Sequence, residues 1–304
     1  MRPIPDKVFA HVAYDRSLLS ERGLEEPDQN WDFEWERADR EPGTDWVEVD
    51  RLRASTGYPV TSFRQLVELV AELGYRNFRY NLLFRGQGGD WGDRFGKTTV
   101  YSTIFRPPRG SQTLPRAVRE QRFSRLDNLV ELLRERREEF PWRRRLHLYE
   151  ESHFAVLQHY EICETPMIDV THSLRVAVSF ALAGAARQRG WLLVFGLPHP
   201  TGSISHFVDE QMTLVKLQNM CPPEALRPHF QEGWLVARLP WSRRRETRDN
   251  LANRLIGKYL LDNSTGTFWD EHFEPIPNDA LFPSGDEFGE RLRTLTSAVD
   301  TPAE

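Results

Sequence analysis

Cysteine is nearly absent from this sequence of 304 residues. Its two cysteines, Cys163 and Cys221, form no C-x-x-C pair, and neither stands at a spacing from histidine that suits zinc. The pattern predicts a cytosolic protein with reduced thiols and no metal site.

Long apolar runs are also missing. No run approaches the roughly 20 apolar residues that a membrane span needs. The first residues, Met1–Arg16, contain Asp6 and Asp15 where a signal peptide has an apolar stretch. We therefore expect a cytoplasmic protein that does not contact a membrane.

An excess of positive charge is lacking as well. Lys and Arg number 40 against 45 Asp and Glu, for a net charge of −5. The whole molecule therefore has no general attraction for phosphate backbones. The charge is uneven, however, because residues 1–50 are acid-rich whereas Arg134–Arg145 and Arg238–Arg248 are arginine-rich. This distribution allows a local basic surface on a molecule that is acidic overall.

Three common catalytic motifs do not occur in the sequence. The absence of G-x-x-x-x-G-K-[ST] excludes a nucleotide-hydrolysing P-loop of the usual form. Without G-x-S-x-G there is no nucleophile elbow, and without H-E-x-x-H there is no zinc-protease helix.

Aromatic residues are plentiful, at 12% of the chain with 9 Trp and 18 Phe. Each buries a large area, so the chain folds although its hydrophobic fraction is only 39%. Residues 1–50 show no sustained period and are expected to be irregular. The remaining patterns predict helices near 63–74, 116–140, 149–160, 174–188, 249–261 and 287–295, and strands near 78–84, 191–195 and 234–239. Helices and short strands without a regular βαβ rhythm predict an α+β fold.

The first candidate site residues are Arg85 and Gln87, at the end of a hydrophobic strand and the start of a glycine-rich loop that includes Gly86. Arginine pairs bidentately with phosphate or carboxylate, and glycines let backbone N–H groups approach an anion. The structural alternative is an arginine that pairs with an acid inside the fold, such as Asp169.

Three further clusters combine polar side chains with element ends. His159 and Tyr160 close a helix, where a histidine can act as base or donor and a tyrosine can stack on a ligand; a structural cap is the alternative. Asp169, Thr171 and Ser173 lead into a helix, and capping is the alternative to anion or ribose binding. Gln231 and Glu232 stand at a loop–strand junction, where a solvent-facing turn is the alternative.

Together these clusters resemble the FRG domain family. Its pattern appears here, in order, as Phe84-Arg85-Gly86-Gln87, Thr103–Arg106, Gln158–Tyr160, Asp169–Thr171, and Arg227 with Gln231 and Gly233. Glu161 stands where the family has Gly, and Val170 stands where it has Trp. The resemblance implies an acidic N-terminal extension over 1–59, an FRG domain over 60–297 and a tail over 298–304.

A more distant resemblance is to ADP-ribosyltransferases of the R-S-E type. It implies small split mixed or antiparallel sheets flanked by helices, with NAD bound as a substrate and no metal. Arg85, Gly86, Gln87, His159, Tyr160, Asp169, Thr171 and Ser173 would then bind NAD, and Glu232 or Gln231 would be catalytic. The usual E-x-E places its second acid at Gly233, so either Glu232 acts from the neighbouring position or the site is not catalytic.

The resemblances imply a toxin or anti-phage effector that consumes NAD and modifies a nucleic acid or protein. One alternative is a non-enzymatic module that binds a nucleotide or RNA through its arginines. Another is a structural subunit that docks a partner through Trp241 and Arg243–Arg245. Either kind of cleft could be occupied by an inhibitory partner or by the acidic N-terminal segment itself.

Overall fold

The computed structural model describes residues 1–13, 43–108, 111, 113–140, 148–183, 188–239, 248–270 and 272–297. Most of the acidic segment, residues 141–147 and 240–247 of the two arginine-rich stretches, and the predicted tail from 298 onward lie outside these ranges. The proposed docking residues Trp241 and Arg243–Arg245 therefore also lie outside the described residues.

A large mixed sheet forms the centre of the described chain. Its eight strands follow the order β3-β10-β6-β4-β5-β9-β8-β7, in which only β10 and β3 pair in parallel. The strands are β3 (Tyr58–Val60), β4 (Asn81–Gln87), β5 (Met167–Thr171), β6 (Arg189–Leu197), β7 (Ile204–Phe207), β8 (Met212–Lys216), β9 (Gly233–Arg238) and β10 (Leu255–Asp262). A separate antiparallel pair comprises β1 (Val8–Val12) and β2 (Gly43–Val47).

Helices flank this sheet. They are α1 (Val49–Ala54), α2 (Phe63–Arg76), α3 (Arg116–Glu135), α4 (Glu150–His159), α5 (Leu174–Ala181), α6 (Leu217–Met220), α7 (Leu226–Phe230), α8 (Asn278–Leu281) and α9 (Glu287–Ser297). Short 3-10 turns cover Thr103–Phe105, Arg137–Glu139 and Leu251–Arg254. The predicted α+β class is therefore confirmed.

The sheet is almost divided between β4 and β5. Strand β4 pairs with β6 along its whole length, from Asn81 to Gln87, and β5 pairs with β9 from Met167 to Thr171. Between β4 and β5 a single pair, Phe84 with Thr171, is in register. Beyond that pair the two strands diverge, so each half of the sheet presents an edge to the gap.

Two hydrophobic clusters cover the two faces of β9. On β9, Trp234 and Val236 belong to the cluster that contains β4, β6, β10 and α2, whereas Leu235 and Ala237 pack with α3 and α4. This alternation is the period of two that a strand imposes on its side chains. The strand β9 thus has both faces covered, which explains its continuous apolar sequence.

Several local predictions match the structure. Ser62 accepts a hydrogen bond from the Gln65 backbone N at 3.2 Å and begins α2, as the capping pattern indicates. Strands β6 and β9 lie where their apolar runs predict them. Helix α2 nevertheless continues through Gly74 to Arg76, so the expected stop at Gly74 is wrong.

The segment predicted as a helix over 249–261 is instead a 3-10 turn followed by β10. Residues Leu255–Tyr259 are all buried, because β10 lies inside the sheet between β3 and β6. Burial on both faces removes the alternation of apolar and polar residues, so the spacing in this segment fits a helix as well as a strand.

The N-terminal residues are also more regular than expected. Strand β1 is buried along its length, and the His11 ring lies 3.0 Å from the Tyr259 hydroxyl of β10. Helix α1 follows β2, and its Leu52 is fully buried. The described part of the segment predicted to be an extension therefore contributes to the main core.

Candidate ligand-binding cleft

The gap between β4 and β5 opens into a cleft of about 370 Å³. This volume falls at the lower end of the range of small-molecule sites, about 300–1,000 Å³. The cleft is lined by Phe84–Gly88 of β4 and its loop, by residues at the ends of α4, β5, α5 and α7, and by Phe282 after α8. Several chain-distant elements thus meet at the place where the sheet divides.

Arg85 bridges the divided strands. Its Nη1 donates to the backbone oxygen of Asp169 at 2.5 Å, although the two residues are 84 positions apart. Burial lowers the pKa of Arg85, and the negative charge of Asp169 offsets part of that effect. A guanidinium that is only partly hydrated beside an open cleft favours an anionic ligand, because the negative charge of the ligand compensates for the lost hydration.

The carboxylate of Asp169 faces α4. Gln158 Nε2 donates to Oδ2 at 2.6 Å, and His159 Nδ1 lies 3.4 Å from Oδ1. Burial by itself raises the pKa of Asp169, but the hydrogen bond and attraction of His159, the charge of Arg85 and the Gln158 hydrogen bond outweigh it. The pKa of Asp169 therefore lies below its ordinary value, and the group is an oriented carboxylate at neutral pH.

Gln158 is itself fixed. Its Oε1 accepts from the Thr165 hydroxyl at 2.6 Å and from the Thr103 hydroxyl at 3.0 Å. Since both amide ends of Gln158 are used, the donor that holds Asp169 cannot rotate freely.

Thr171 and Ser173 take different places. The Thr171 hydroxyl lines the cleft, donates to the Gln231 backbone oxygen at 2.7 Å and accepts from the Ser173 backbone N at 3.0 Å. Ser173 is the N-cap of α5, where its Oγ accepts from Val176 N at 3.4 Å, and it is not among the cleft-lining residues. The capping alternative therefore describes the position of Ser173.

Of the two catalytic candidates, Gln231 lines the cleft and Glu232 does not. The Gln231 amide is occupied, since Nε2 donates to the Leu281 backbone oxygen at 2.7 Å. Glu232 has a left-handed backbone with φ of 46°, directly before β9 begins at Gly233. That turn leaves only Gln231 at the wall of the cleft.

Tyr160 is placed away from the cleft, contrary to the expectation that it stacks on a ligand. It is buried, and its hydroxyl donates to Asp286 at 2.9 Å. Burial and then the charge of Asp286 raise the pKa of Tyr160 above its ordinary value. Tyr160 therefore ties the end of α4 to the start of α9.

Gly86 lines the cleft, but it also has a packing role. A Cβ at this position would lie 1.7 Å from the backbone oxygen of Ala177 in α5. Only glycine allows β4 and α5 to approach so closely. Gln87 also lines the cleft.

Ten cleft-lining residues were not predicted as site residues. They include Glu161, Phe180, Arg227 and Phe282. For Arg227 a signal exists, because it precedes Gln231 by one helical turn and therefore shares its face. For Phe180 and Phe282 the sequence offers no such signal, since their place depends on how α5 and α8 pack.

Arg106, which ends the second motif, is a further cation near Arg85. Burial of its guanidinium, and next the repulsion of Arg85, lower the pKa of Arg106 to about 10, although the residue as a whole is exposed. Two cations that repel each other near one cleft add to its preference for an anion.

Three buried polar atoms on cleft-lining side chains have no hydrogen-bond partner among the described residues. These atoms are Gln87 Nε2, His159 Nε2 and Arg227 Nε. An unsatisfied buried polar group costs about 1–3 kcal/mol. A ligand that carries several oxygen acceptors would satisfy the Gln87 and Arg227 donors, and it is the kind of ligand that this cleft suits.

Comparisons with known proteins identify no relative of this chain. A scan against models of protein families finds no match, and neither the search of curated proteins nor that of solved structures finds a similar one. The resemblances to the FRG domain and to ADP-ribosyltransferases stay predictions that rest on the order of the motifs.

Two other searches concern the described residues only. Within them, no cluster of three or more His, Cys, Asp or Glu side chains is arranged to hold a metal ion. No helix in the same ranges combines the length and the apolar composition that crossing a membrane requires.

Proposed function

We propose that the protein is an ADP-ribosyltransferase-like enzyme that binds NAD in this cleft and breaks its glycosidic bond. One observation supports the proposal most directly: Arg85 from one half of the sheet and Thr171 with Gln231 from the other half line the same cleft. In the R-S-E type that the sequence resembles, the corresponding positions hold the phosphates, brace the nicotinamide ribose and act on its hydroxyl.

The chain's donors suit the phosphates of such a substrate. Arg85 supplies a guanidinium at the divided sheet, and Gln87 supplies an N–H group that has no partner among the described residues. The aromatic rings of Phe84, Phe180 and Phe282 add apolar surface to the same walls. At about 370 Å³, the cleft is proposed to take the nicotinamide ribose and its phosphate, with the remainder of NAD outside.

The catalytic carboxylate is the point at which we depart from the resemblance. An oxocarbenium-like transition state is stabilised by a nearby negative charge. Glu232 is not among the cleft-lining residues, whereas Asp169 is, and the lowered pKa of Asp169 keeps it ionised. We therefore assign the electrostatic role to Asp169.

The test uses the purified chain, NAD labelled in its adenylate half, and cell extract as a source of acceptors. We expect nicotinamide release and transfer of label by the wild type and by Glu232→Gln. Asp169→Asn should reduce release by roughly 10²-fold, the usual loss for one electrostatic contact to a transition state. Glu232→Gln is the matched control, because it removes the same charge from a residue that does not line the cleft.

Two results would contradict the proposal. Folded wild-type protein that releases no nicotinamide and transfers no label would remove the enzymatic function. A loss in Glu232→Gln as large as that in Asp169→Asn would return the catalytic role to Glu232.

The second candidate function is a non-enzymatic module that binds a nucleotide or an RNA end. It is favoured by the positions of the two predicted catalytic residues, since the Gln231 amide is engaged by Leu281 and Glu232 does not line the cleft. Binding through several arginines weakens steeply as salt rises. Titrations with NAD and with a short RNA at increasing salt would separate the two, because NAD turnover should depend on salt much less.

A further inference from the structure

Arg227 lines the cleft from the α7 side and is held in place from three directions. Its backbone N donates to Asp286 Oδ2 at 2.9 Å, and its guanidinium carbon lies 4.7 Å from the centre of the Phe282 ring. Its Nη2 donates to Glu161 Oε1 at 2.6 Å. The side chain is only 11% exposed, so this guanidinium is a fixed cation in the wall of the cleft.

The guanidinium is only partly used. Glu161 contacts Nη2, while the Nε hydrogen is buried and finds no acceptor among the described residues. Arginine presents Nε and Nη2 as a planar fork that matches two oxygens of one phosphate or carboxylate. A group that bound this fork with two oxygens would satisfy the unpaired Nε–H.

Glu161 is a loosely held partner for this cation. Its side chain is 71% exposed, whereas that of Arg227 is nearly enclosed. Its backbone is left-handed, with φ of 57°, which is unfavourable for any residue that has a Cβ. Because the Glu161 side chain stays largely in solvent, it loses little hydration in this pair, and a competing anion that contacts Arg227 displaces it.

We infer that Arg227 is an anion subsite of the cleft and takes a phosphate or carboxylate group of the ligand. The Glu161 carboxylate occupies this subsite in the free protein, and an anionic ligand displaces it. Glu161 thereby weakens the binding of anions and sets how much negative charge the cleft accepts. The inference requires an anionic ligand but no turnover, so it does not depend on the cleavage of NAD.

Inorganic pyrophosphate is the probe, because it has two phosphate groups and no glycosidic bond. Its dissociation constant is measured by calorimetry for the wild type, Glu161→Gln, Arg227→Gln and the double variant. Glu161→Gln should bind about two- to fivefold more tightly, the range in which exposed charge pairs act. In the Arg227→Gln background the same change should give no gain, since the cation that Glu161 occupies is gone.

Glu164→Gln is the matched control. Glu164 lies three positions away, pairs with Arg122 and Arg125, and is not among the cleft-lining residues. It changes the net charge equally and should leave the affinity unchanged. Arg227→Met also removes the charge while keeping a long side chain, and it replaces Arg227→Gln if the latter shows a lowered melting temperature.

The inference is overturned if Glu161→Gln binds pyrophosphate no better than the wild type. It is overturned equally if the gain survives the loss of Arg227, or if Glu164→Gln produces the same gain. Absence of nicotinamide release, by contrast, would contradict only the proposed enzymatic function.

Discussion

Replacement of Gly86 by alanine tests the contact between β4 and α5. A Cβ at position 86 would lie 1.7 Å from Ala177 O, 2.7 Å from Ala177 C and 2.9 Å from Ala181 N. All three are backbone atoms, so no side chain can rotate away. The strand and the helix would have to separate by roughly 1.5 Å to restore ordinary van der Waals contact.

The expected loss of stability is large. Overpacked cores usually lose about 1–3 kcal/mol. Here the clash moves a helix whose Val176, Ala177, Val178 and Ala181 are buried, so we expect about 3 kcal/mol or more. For a chain of this size that corresponds to a melting temperature lower by about 5 °C or more.

Thermal and urea unfolding followed by circular dichroism measure this loss. Gly74→Ala in α2 is the control, because its Cβ would meet only Leu82 Cδ2 at an ordinary 3.5 Å. Alanine in a helix interior should stabilise the protein by about 0.5–1 kcal/mol. Gly190→Ala is a second test of the same packing, since its Cβ would lie 2.4 Å from Ala181 O.

The result that would refute this reasoning is a Gly86→Ala variant with stability within about 1 kcal/mol of the wild type, less than the usual overpacking cost. If such a variant had also lost ligand binding, glycine would be required at position 86 for the approach of a ligand and not for packing.

Three further predictions concern ionisable groups. Lys258 is fully buried and donates to Asp90 Oδ2 at 2.7 Å. Lys258→Met should therefore cost about 3 kcal/mol in urea unfolding, because the Asp90 carboxylate loses this cation, and a neutral effect would contradict this. Because the folded pKa of Asp169 is lowered, its contribution should be present above about pH 4 and be lost as pH falls through the folded pKa. The stability difference between wild type and Asp169→Asn should therefore shrink on acidification, and a difference that stays constant from pH 6 to pH 2.5 would be inconsistent with this. Burial raises the pKa of Cys221 to about 12. Its thiol should therefore react with a disulfide reagent at pH 8 only after unfolding, and rapid labelling of the native protein would contradict this.

The sequence indicated part of the cleft lining. It did so because several of the motifs stand at the ends of helices and strands. Arg85 and Gln87 were chosen because an arginine beside a glycine-rich loop suits an anion, and Asp169 and Thr171 because they lead into a helix N-terminus. These four line the cleft. His159, at the end of α4, also lines it, whereas its neighbour Tyr160 is directed to Asp286. Residue type and element boundary do not determine which of two adjacent side chains faces inward.

One departure from the predicted FRG pattern also has a local consequence. Glu161, which stands where that predicted pattern has Gly, has a left-handed backbone with φ of 57°. Glycine adopts that conformation at little cost, whereas glutamate is strained there. The departure places a carboxylate in the cleft, and the sequence alone showed neither that strain nor the pairing with Arg227.

The helix caps and the apolar patterns of single elements could be predicted from the sequence. The Ser62 and Ser173 caps, the apolar seam of α3 and the apolar runs of β6 and β9 depend on neighbours within a few residues, so they are visible in the chain. The strand identity of β10 was decided only by the tertiary structure, because burial between two other strands removes the alternation that would mark it.

The existence of the cleft likewise depends on the tertiary structure and cannot be derived from local sequence patterns. It exists because β4 and β5 meet at one pair, Phe84 with Thr171, and then diverge, and no local pattern specifies that partial pairing. Arg85 reaches Asp169 across 84 positions, and Gln231 reaches Leu281 across 50. Contacts over such separations depend on which strands become neighbours, and that choice is made by the packing of the whole chain.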